Sequence, residues 1–271
     1  GFPAGLFPGV AHWGLGWGRA PPNPWCPASP CRAARNPPAP AITLPADLHA
    51  PLPLRGLTLL AVEDSRFASD ALRLICQRTG ARLRRAETLA AARAHLRTYR
   101  PDVAIVDLGL PDGNGLGLIA ELARSPHRPE AILATSGDVA GREAALDAGA
   151  DGFMEKPIES VAGFCRHLNA VMPVRGLALV PGREEALAPD PLALHDDLER
   201  AAELLARQVP PGRYVAGFVR GLAGQMHDVT LAEAARAARI GLPDGISTLK
   251  GLIDDHLTAP FPAFGPRPKG F

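Results

Sequence analysis

The 271-residue chain has almost no excess of either charge, no long apolar run and few cysteines, and each shortage removes a class of protein. Twenty-nine basic residues against 28 acidic ones leave a net charge of +1. That is too balanced for a protein that coats nucleic acid and too poor in acid for a solvating acidic tail. No stretch of 18 residues is both uncharged and built from large apolar side chains. The nearest, Gly1 to Gly18, holds six glycines and two prolines and cannot form a spanning helix, so no membrane attachment is expected. The first charge is Arg19, which leaves no basic start for a secretory signal. Four cysteines (Cys26, Cys31, Cys76 and Cys165) are too few and too scattered for a disulfide framework, and a reducing, cytoplasmic setting is expected. What is present is apolar bulk: a hydrophobic share of 46% can bury a real core and excludes global disorder. The length suits roughly two domains.

Proline draws the first boundary. Thirteen of the 29 prolines fall in residues 1–54, together with all three tryptophans, and such a density interrupts both helices and ladders. Residues 1–54 are expected to be a disordered leader. The chain does not begin with Met, and a non-functional extension is the expected reading of this stretch, ahead of a partner-binding motif built on Trp13, Trp17 and Trp25. Cys26 and Cys31 have no second Cys/His pair at ligand spacing, so no zinc site is expected there.

From residue 57 the texture changes. Leu57 to Val62 is a short apolar run ending in Glu63-Asp64, as in a buried parallel strand. Ser65 can cap a helix running to Thr79, with Phe67, Ala71, Leu72, Leu74 and Ile75 on its apolar face and Gly80 as its stop. A weak strand follows at 81–85, then a helix opened by Thr88. Val103 to Asp107 is a second buried strand ending in a carboxylate. A Gly/Pro loop over 108–115 leads into a helix at 116–122, and Ala131 to Thr135 is the next strand. A helix near 141–148, a short strand at 152–154 and a helix from Ser160 to Val171 complete the run. Five alternations of strand and helix imply a doubly wound parallel sheet covered on both faces, with right-handed crossovers. Such sheets place their chemistry outside the carboxyl ends of the strands.

Those ends carry Glu63 and Asp64, Asp107, Ser136 and Lys156. Three carboxylates in one crevice repel one another and call for a counter-charge. A hard divalent cation such as Mg²⁺ supplies it and leaves room for waters and a phosphate. Lysine adds a point charge and serine a hydroxyl. Together they suit an aspartate that attacks phosphorus, and Asp107, at the end of the central strand and before a flexible loop, is the natural nucleophile. Taken singly the residues say little. Val62-Glu63-Asp64 could be a solvated strand end, Lys156 a surface charge, and Phe153 a core aromatic. Cys76 and Cys165 read as small core hydrophobes on the inner faces of two helices.

Residues 57–173 resemble the response-regulator receiver domain of two-component signalling. The matching segments are Val62-Glu63-Asp64, the stretch from Val106-Asp107 through Asn114-Gly115, Thr135-Ser136-Gly137, and the stretch from Ala148-Gly149 through Lys156-Pro157. Their order and separations carry the match: 43 residues from Asp64 to Asp107, 29 to Ser136 and 20 to Lys156. The resemblance implies a flavodoxin-like, five-stranded fold and phosphorylation of Asp107 by a sensor histidine kinase or a phosphotransfer protein. It implies Mg²⁺ held by Glu63, Asp64, Asp107 and the main-chain carbonyl of Gly109. Ser136 would turn to bond the phosphoryl group, Lys156 would pair with it, and Phe153 would report the hydroxyl's state. The Lys156-Pro157 peptide bond is expected to be cis. The segment between Ser136 and Gly149 is a residue or two short for the pattern, which leaves Thr135 as a substitute for Ser136. Gly109 and Asp138 stand where the family tunes its dephosphorylation rate.

Residues 174–190 are expected to be a linker, 191–258 a small all-α domain and 259–271 a disordered tail. Four amphipathic segments, 192–208, 214–227, 231–240 and 246–257, can make a small bundle. Ten acidic and seven basic residues between 189 and 258 give a net charge of −3, which argues against DNA because phosphate contacts need a basic face. Ala237 to Gly241 has helix-turn-helix spacing, but Ser247 and Lys250 fall where the second helix of that motif needs apolar residues. Phe218 to Gly224 loosely resembles the phosphorylation segment of a histidine phosphotransfer module, with Arg220 where the histidine belongs and Ala223 where a lysine belongs. His195, His227 and His256 read as surface histidines. The expectation is therefore a bacterial response regulator that acts on a downstream protein target, with homodimerisation left open. DNA-binding transcription factor and degenerate phosphotransfer relative stand as the alternatives. No enzyme activity is expected beyond the receiver's own phosphotransfer and dephosphorylation. A Mg²⁺-dependent phosphatase is disfavoured because Gly109 stands two positions after Asp107, where a second acid/base residue would be needed.

Overall fold

The computed structural model describes residues 52–173, 187, 190–207 and 211–259. Residues 1–51 of the expected leader, most of the linker and the tail from 260 lie outside the described residues, and with them the three tryptophans, Cys26 and Cys31. Leu54, the last residue assigned to the leader, is instead buried against the sheet with its N–H on Thr79 O at 2.9 Å.

The strongest apolar runs become the middle of the sheet. Strands β1 (Thr58–Val62), β3 (Val103–Asp107), β6 (Ala131–Ser136) and β7 (Gly152–Glu155) pair in parallel, with β2 (Arg82–Ala86) on the outer edge, in the order β2-β1-β3-β6-β7. Every residue of β3 is buried, whereas β2, with Arg82, Arg84 and Arg85, is largely exposed. Charge on an outer strand discourages pairing with another chain. Alternate side chains of a strand face opposite ways, so two cores form. Ala61, Ile105, Leu133 and Met154 pack under α1 (Arg66–Thr79) and α5 (Val161–Val171), together with Ile75, Phe164 and Leu168. Val62, Val106, Ile132 and Phe153 pack on the opposite face with residues of α2 (Leu89–Thr98) and α3 (Gly115–Arg124).

The expected caps form. Ser65 Oγ accepts from Ala68 N at 3.0 Å, and Gly80 takes the left-handed conformation (φ 80°) with its N–H on Cys76 O. Thr88 and Ser160 cap α2 and α5 through their hydroxyls. Cys76 and Cys165 are free and buried in the first core, and burial pushes the Cys76 thiol up to about 12. Two details differ from the sequence reading. The loop after Asp107 contains a small hairpin, β4 (Gly109–Leu110) with β5 (Gly113–Asn114). The helix expected near 141–148 is the six-residue α4 (Arg142–Asp147), preceded by a single 3-10 turn that Asp138 caps.

Four further helices follow: α6 (Pro191–Leu205), α7 (Gly212–Met226), α8 (Val229–Arg239) and α9 (Gly245–Thr258). They enclose a third core of Leu198, Val215, Val219, Leu222, Leu231, Leu249 and Ile253. Asp190 caps α6 and Asp228 caps α8. On α9, Leu249 and Ile253 are buried whereas Ser247 and Lys250 are exposed. These helices and the sheet belong to one compact unit. Phe67, read from the sequence as part of the inner face of α1, packs instead against the helical core. Among the described residues no helix is long and apolar enough to cross a membrane.

Candidate functional site

The strand ends bring the predicted residues together. Carboxylate oxygens of Glu63, Asp64 and Asp107 all lie within 4.8 Å of one another, and all three residues are buried. Lys156 Nζ sits 2.6 Å from Glu63 Oε2 and 3.1 Å from Asp107 Oδ2. Burial, opposed by Lys156 and reinforced by Asp107 and Asp64, pushes the Glu63 carboxyl up to about 8. Burial also lifts Asp64 to about 6, against a hydrogen bond from Tyr214 and the charge of Lys156. For Lys156 burial works the other way, but Asp107 and Glu63 outweigh it and hold the ammonium proton more tightly than usual. One lysine does not balance three carboxylates. Asp64 Oδ1, moreover, is buried with no hydrogen-bond partner, a costly condition for a carboxylate oxygen. A small hard cation with oxygen ligands suits both features, and Glu63, Asp64 and Asp107 are the residues that could hold it.

The loop after Asp107 is shaped by close approach. A Cβ on Gly115 would collide with the main-chain oxygen of Asp107, so α3 starts directly against the strand end only because that position is glycine. The hairpin turn is pinned by Asp112, whose two oxygens accept from Leu89 N and Ala90 N at 2.9 and 3.0 Å. Gly109 lies beside the Asp107 carboxylate and lines the same cavity. Ser136 lines it too, its Oγ accepting from Asp138 N at 3.0 Å. Thr135, the alternative hydroxyl, is buried and outside that cavity, as strand alternation requires. The Lys156-Pro157 peptide bond is cis. Phe153 is buried in the second core with the Arg142 guanidinium 5.1 Å from its ring centre, so it is not among the residues that line the crevice.

The cavity over Asp107 encloses about 580 Å³, and its far wall is α7, through Arg213, Tyr214, Gly217, Arg220 and Gly221. These positions share one helical face. At Gly137, next to Ser136, the backbones approach closely: a Cβ there would lie 3.2 Å from Gly221 Cα. Asp138 receives Arg220 Nη1 at 3.0 Å and Arg239 Nη1 at 2.8 Å. At the other end of the crevice, Asp197 of α6 is fully buried and caps α1, with its oxygens accepting from Ser65 Oγ, Arg66 N and Phe67 N at 2.8, 3.0 and 3.0 Å. Arg200 Nη1 donates to the Asp64 main-chain oxygen at 2.8 Å, and the Tyr214 hydroxyl donates to Asp64 Oδ2. Sequence reasoning missed Asp197, Arg200 and Tyr214 altogether. Their roles depend on docking between elements about 130 to 150 residues apart, for which a single sequence carries no periodic or motif signal. The three histidines behave as surface groups: His256 pairs with Asp228 at 2.8 Å, His195 faces Glu199 on the same helix, and His227 is largely exposed.

Residues 59–163 match the family described as the response regulator receiver domain. Among curated proteins, the KDP operon transcriptional regulatory protein KdpE of Escherichia coli (strain K12) is 32% identical over 154 residues, which are 57% of this chain and 64% of that protein. The photosynthetic apparatus regulatory protein RegA of Rhodobacter capsulatus is 30% identical over 155 residues, 56% of this chain and 80% of that one. The chain thus spans less than two thirds of KdpE. Among solved structures, a CheY-like response regulator receiver domain from Methylobacillus flagellatus is 26% identical with a TM-score of 0.39, covering 44% of this chain and 98% of that one.

Proposed function

Because the chain belongs to the response-regulator family through its receiver domain, we propose that it is a phosphorelay component that accepts a phosphoryl group on Asp107. The observation that carries this is the meeting of Asp107 with Glu63, Asp64 and Lys156 beside a cavity that Ser136 also lines. The donor is a phosphohistidine on a sensor kinase or phosphotransfer protein. A carboxylate oxygen of Asp107 forms the new P–O bond as the P–N bond of a protonated phosphoimidazole breaks and neutral imidazole leaves. Glu63, Asp64, Asp107 and the Gly109 carbonyl would hold Mg²⁺, which when bound would neutralise charge on the phosphoryl oxygens. Lys156, already 3.1 Å from Asp107, supplies a second positive charge, and Ser136 donates its hydroxyl. Phe153 follows the hydroxyl from within the core. The setting is the bacterial cytoplasm.

Output runs through protein contact. Asp138, two residues beyond Ser136, ties the end of β6 to α7 and α8 through Arg220 and Arg239, so a movement of Ser136 towards a phosphoryl group bears directly on the helices. The position at which a phosphotransfer bundle would carry its histidine holds Arg220, engaged with Asp138, so these helices pass on no phosphoryl group. A second reading, DNA binding, is favoured by the names of relatives such as KdpE, a transcriptional regulatory protein. Against it, the exposed side of α9 carries Asp254 and Asp255 beside a single lysine, Lys250, and phosphate backbones repel such a face. Phosphoryl uptake from acetyl phosphate with Mg²⁺, read by intact mass on wild type and Asp107→Asn, tests the main reading. One phosphoryl group gained by the wild type and lost in the variant is expected; no uptake by a folded wild type would overturn it. Sequence-preferring, salt-sensitive gel shifts by the phosphorylated full chain would replace protein output with DNA output.

A further inference from the structure

The Asp64 carboxylate is divided between two environments. Oδ2 accepts from the Tyr214 hydroxyl and lies 3.4 Å from Arg200 Nη2, while Oδ1 is buried without a partner. The hydroxyl is itself directed, because Arg200 Nη2 donates to Tyr214 Oη at 3.2 Å, which leaves the phenolic proton for Asp64. The same guanidinium holds the Asp64 main-chain oxygen and lies 5.4 Å from the centre of the Phe218 ring. Both side chains come from the C-terminal helices and neither reaches Glu63 or Asp107.

We propose that Tyr214 and Arg200 are positioning residues of the metal centre: the C-terminal helices supply the outer hydrogen bonds that present the free oxygen of Asp64 to Mg²⁺. The inference rests on the receiver reading above and deepens it. Ligating carboxylates are commonly oriented by such outer partners, whose loss weakens metal binding. Here the partners belong to a different part of the chain, so metal binding and seating of the helices reinforce each other, and by linkage the effect is reciprocal. The phenol occupies Oδ2 alone and leaves Oδ1 without a partner.

The test uses the full chain and two readouts. Mg²⁺ affinity is measured by calorimetry, and amide exchange over residues 212–226 is followed with and without Mg²⁺. Tyr214→Phe, which removes only the hydroxyl, is expected to weaken Mg²⁺ binding by roughly 10- to 100-fold. It is also expected to abolish the slowing of α7 exchange that Mg²⁺ causes in the wild type. Arg200→Gln weakens binding by the same route and decides the matter if Tyr214→Phe does not fold. Equal or tighter Mg²⁺ binding in the folded variants overturns the inference while a wild type that still takes up phosphate keeps its receiver. A wild type that binds no Mg²⁺ overturns the receiver reading and this inference together.

Discussion

The sheet and the C-terminal helices each enclose an apolar core, yet they treat buried charge in opposite ways. The sheet gathers Glu63, Asp64, Asp107 and Lys156 at its own strand ends and uses them on one another. Among the described residues the helices bury one charged side chain, Asp197, and it serves the first turn of α1 rather than its own core. Arg200, Tyr214, Arg220 and Arg239 likewise place their polar atoms at the crevice and its rim. The lesson is one of division: buried charge is concentrated in one half, and Asp197, Arg200, Tyr214, Arg220 and Arg239 of the other half hold on to it. A helical region that worked independently would have no reason to place its arginines and its buried aspartate there.

The contrast can be broken most completely by Asp107→Asn, which is expected to abolish phosphoryl uptake while leaving circular dichroism and helix seating unchanged. A variant that still gained one phosphoryl mass would move the nucleophile elsewhere. Next in size is Asp197→Ala. It strands the Ser65 hydroxyl and two helix-end N–H groups, and losses of caps and buried partners of this kind cost about 2 kcal/mol. A clear drop in thermal midpoint, with faster amide exchange at residues 65–68, is the expected result. Acidity sharpens the contrast from the other side. Without metal, the folded chain holds protons on Glu63 up to about 8 and on Asp64 up to about 6, above the ordinary 4.5 and 3.8. Between those limits the native state binds more protons than the unfolded one, so stability falls as pH rises towards 8. Thermal melts from pH 5 to 8 should show that decline, and saturating Mg²⁺ should flatten it by replacing the protons. Smallest is the loss of Arg220 or Arg239. Each pair with Asp138 is partly exposed, so alanine at either site should cost about 1 kcal/mol or less, and the cost should shrink at high salt.

The parts legible in the sequence were those whose signal is local or periodic. The apolar runs of β1 and β3, the caps Ser65 and Thr88, and the stop at Gly80 appear where the pattern put them. The acidic part of the crevice was legible because Glu63, Asp64, Asp107, Ser136 and Lys156 stand at or next to strand ends, so sheet order alone brings them together. One short element escaped: the β4–β5 hairpin has two residues per strand, too few for the strand period to register, whereas the six-residue α4 lies inside the span expected for it. Phe67 shows the other limit. It lies beside the first-core positions of α1 in sequence, but its partners come from helices more than a hundred residues away, and only docking reveals which core claims it.

Gly137 sits where the receiver approaches α7 closely, so that a Cβ there would press on the backbone at Gly221. On the α7 side, Gly221 itself faces open space. At this point the approach of the two halves is limited by one atom on the receiver, next to Ser136. A graded series of side chains at position 137 would act as shims, setting how far the helices stand from the crevice without altering a charge, and would turn the distance itself into an adjustable control on the signal.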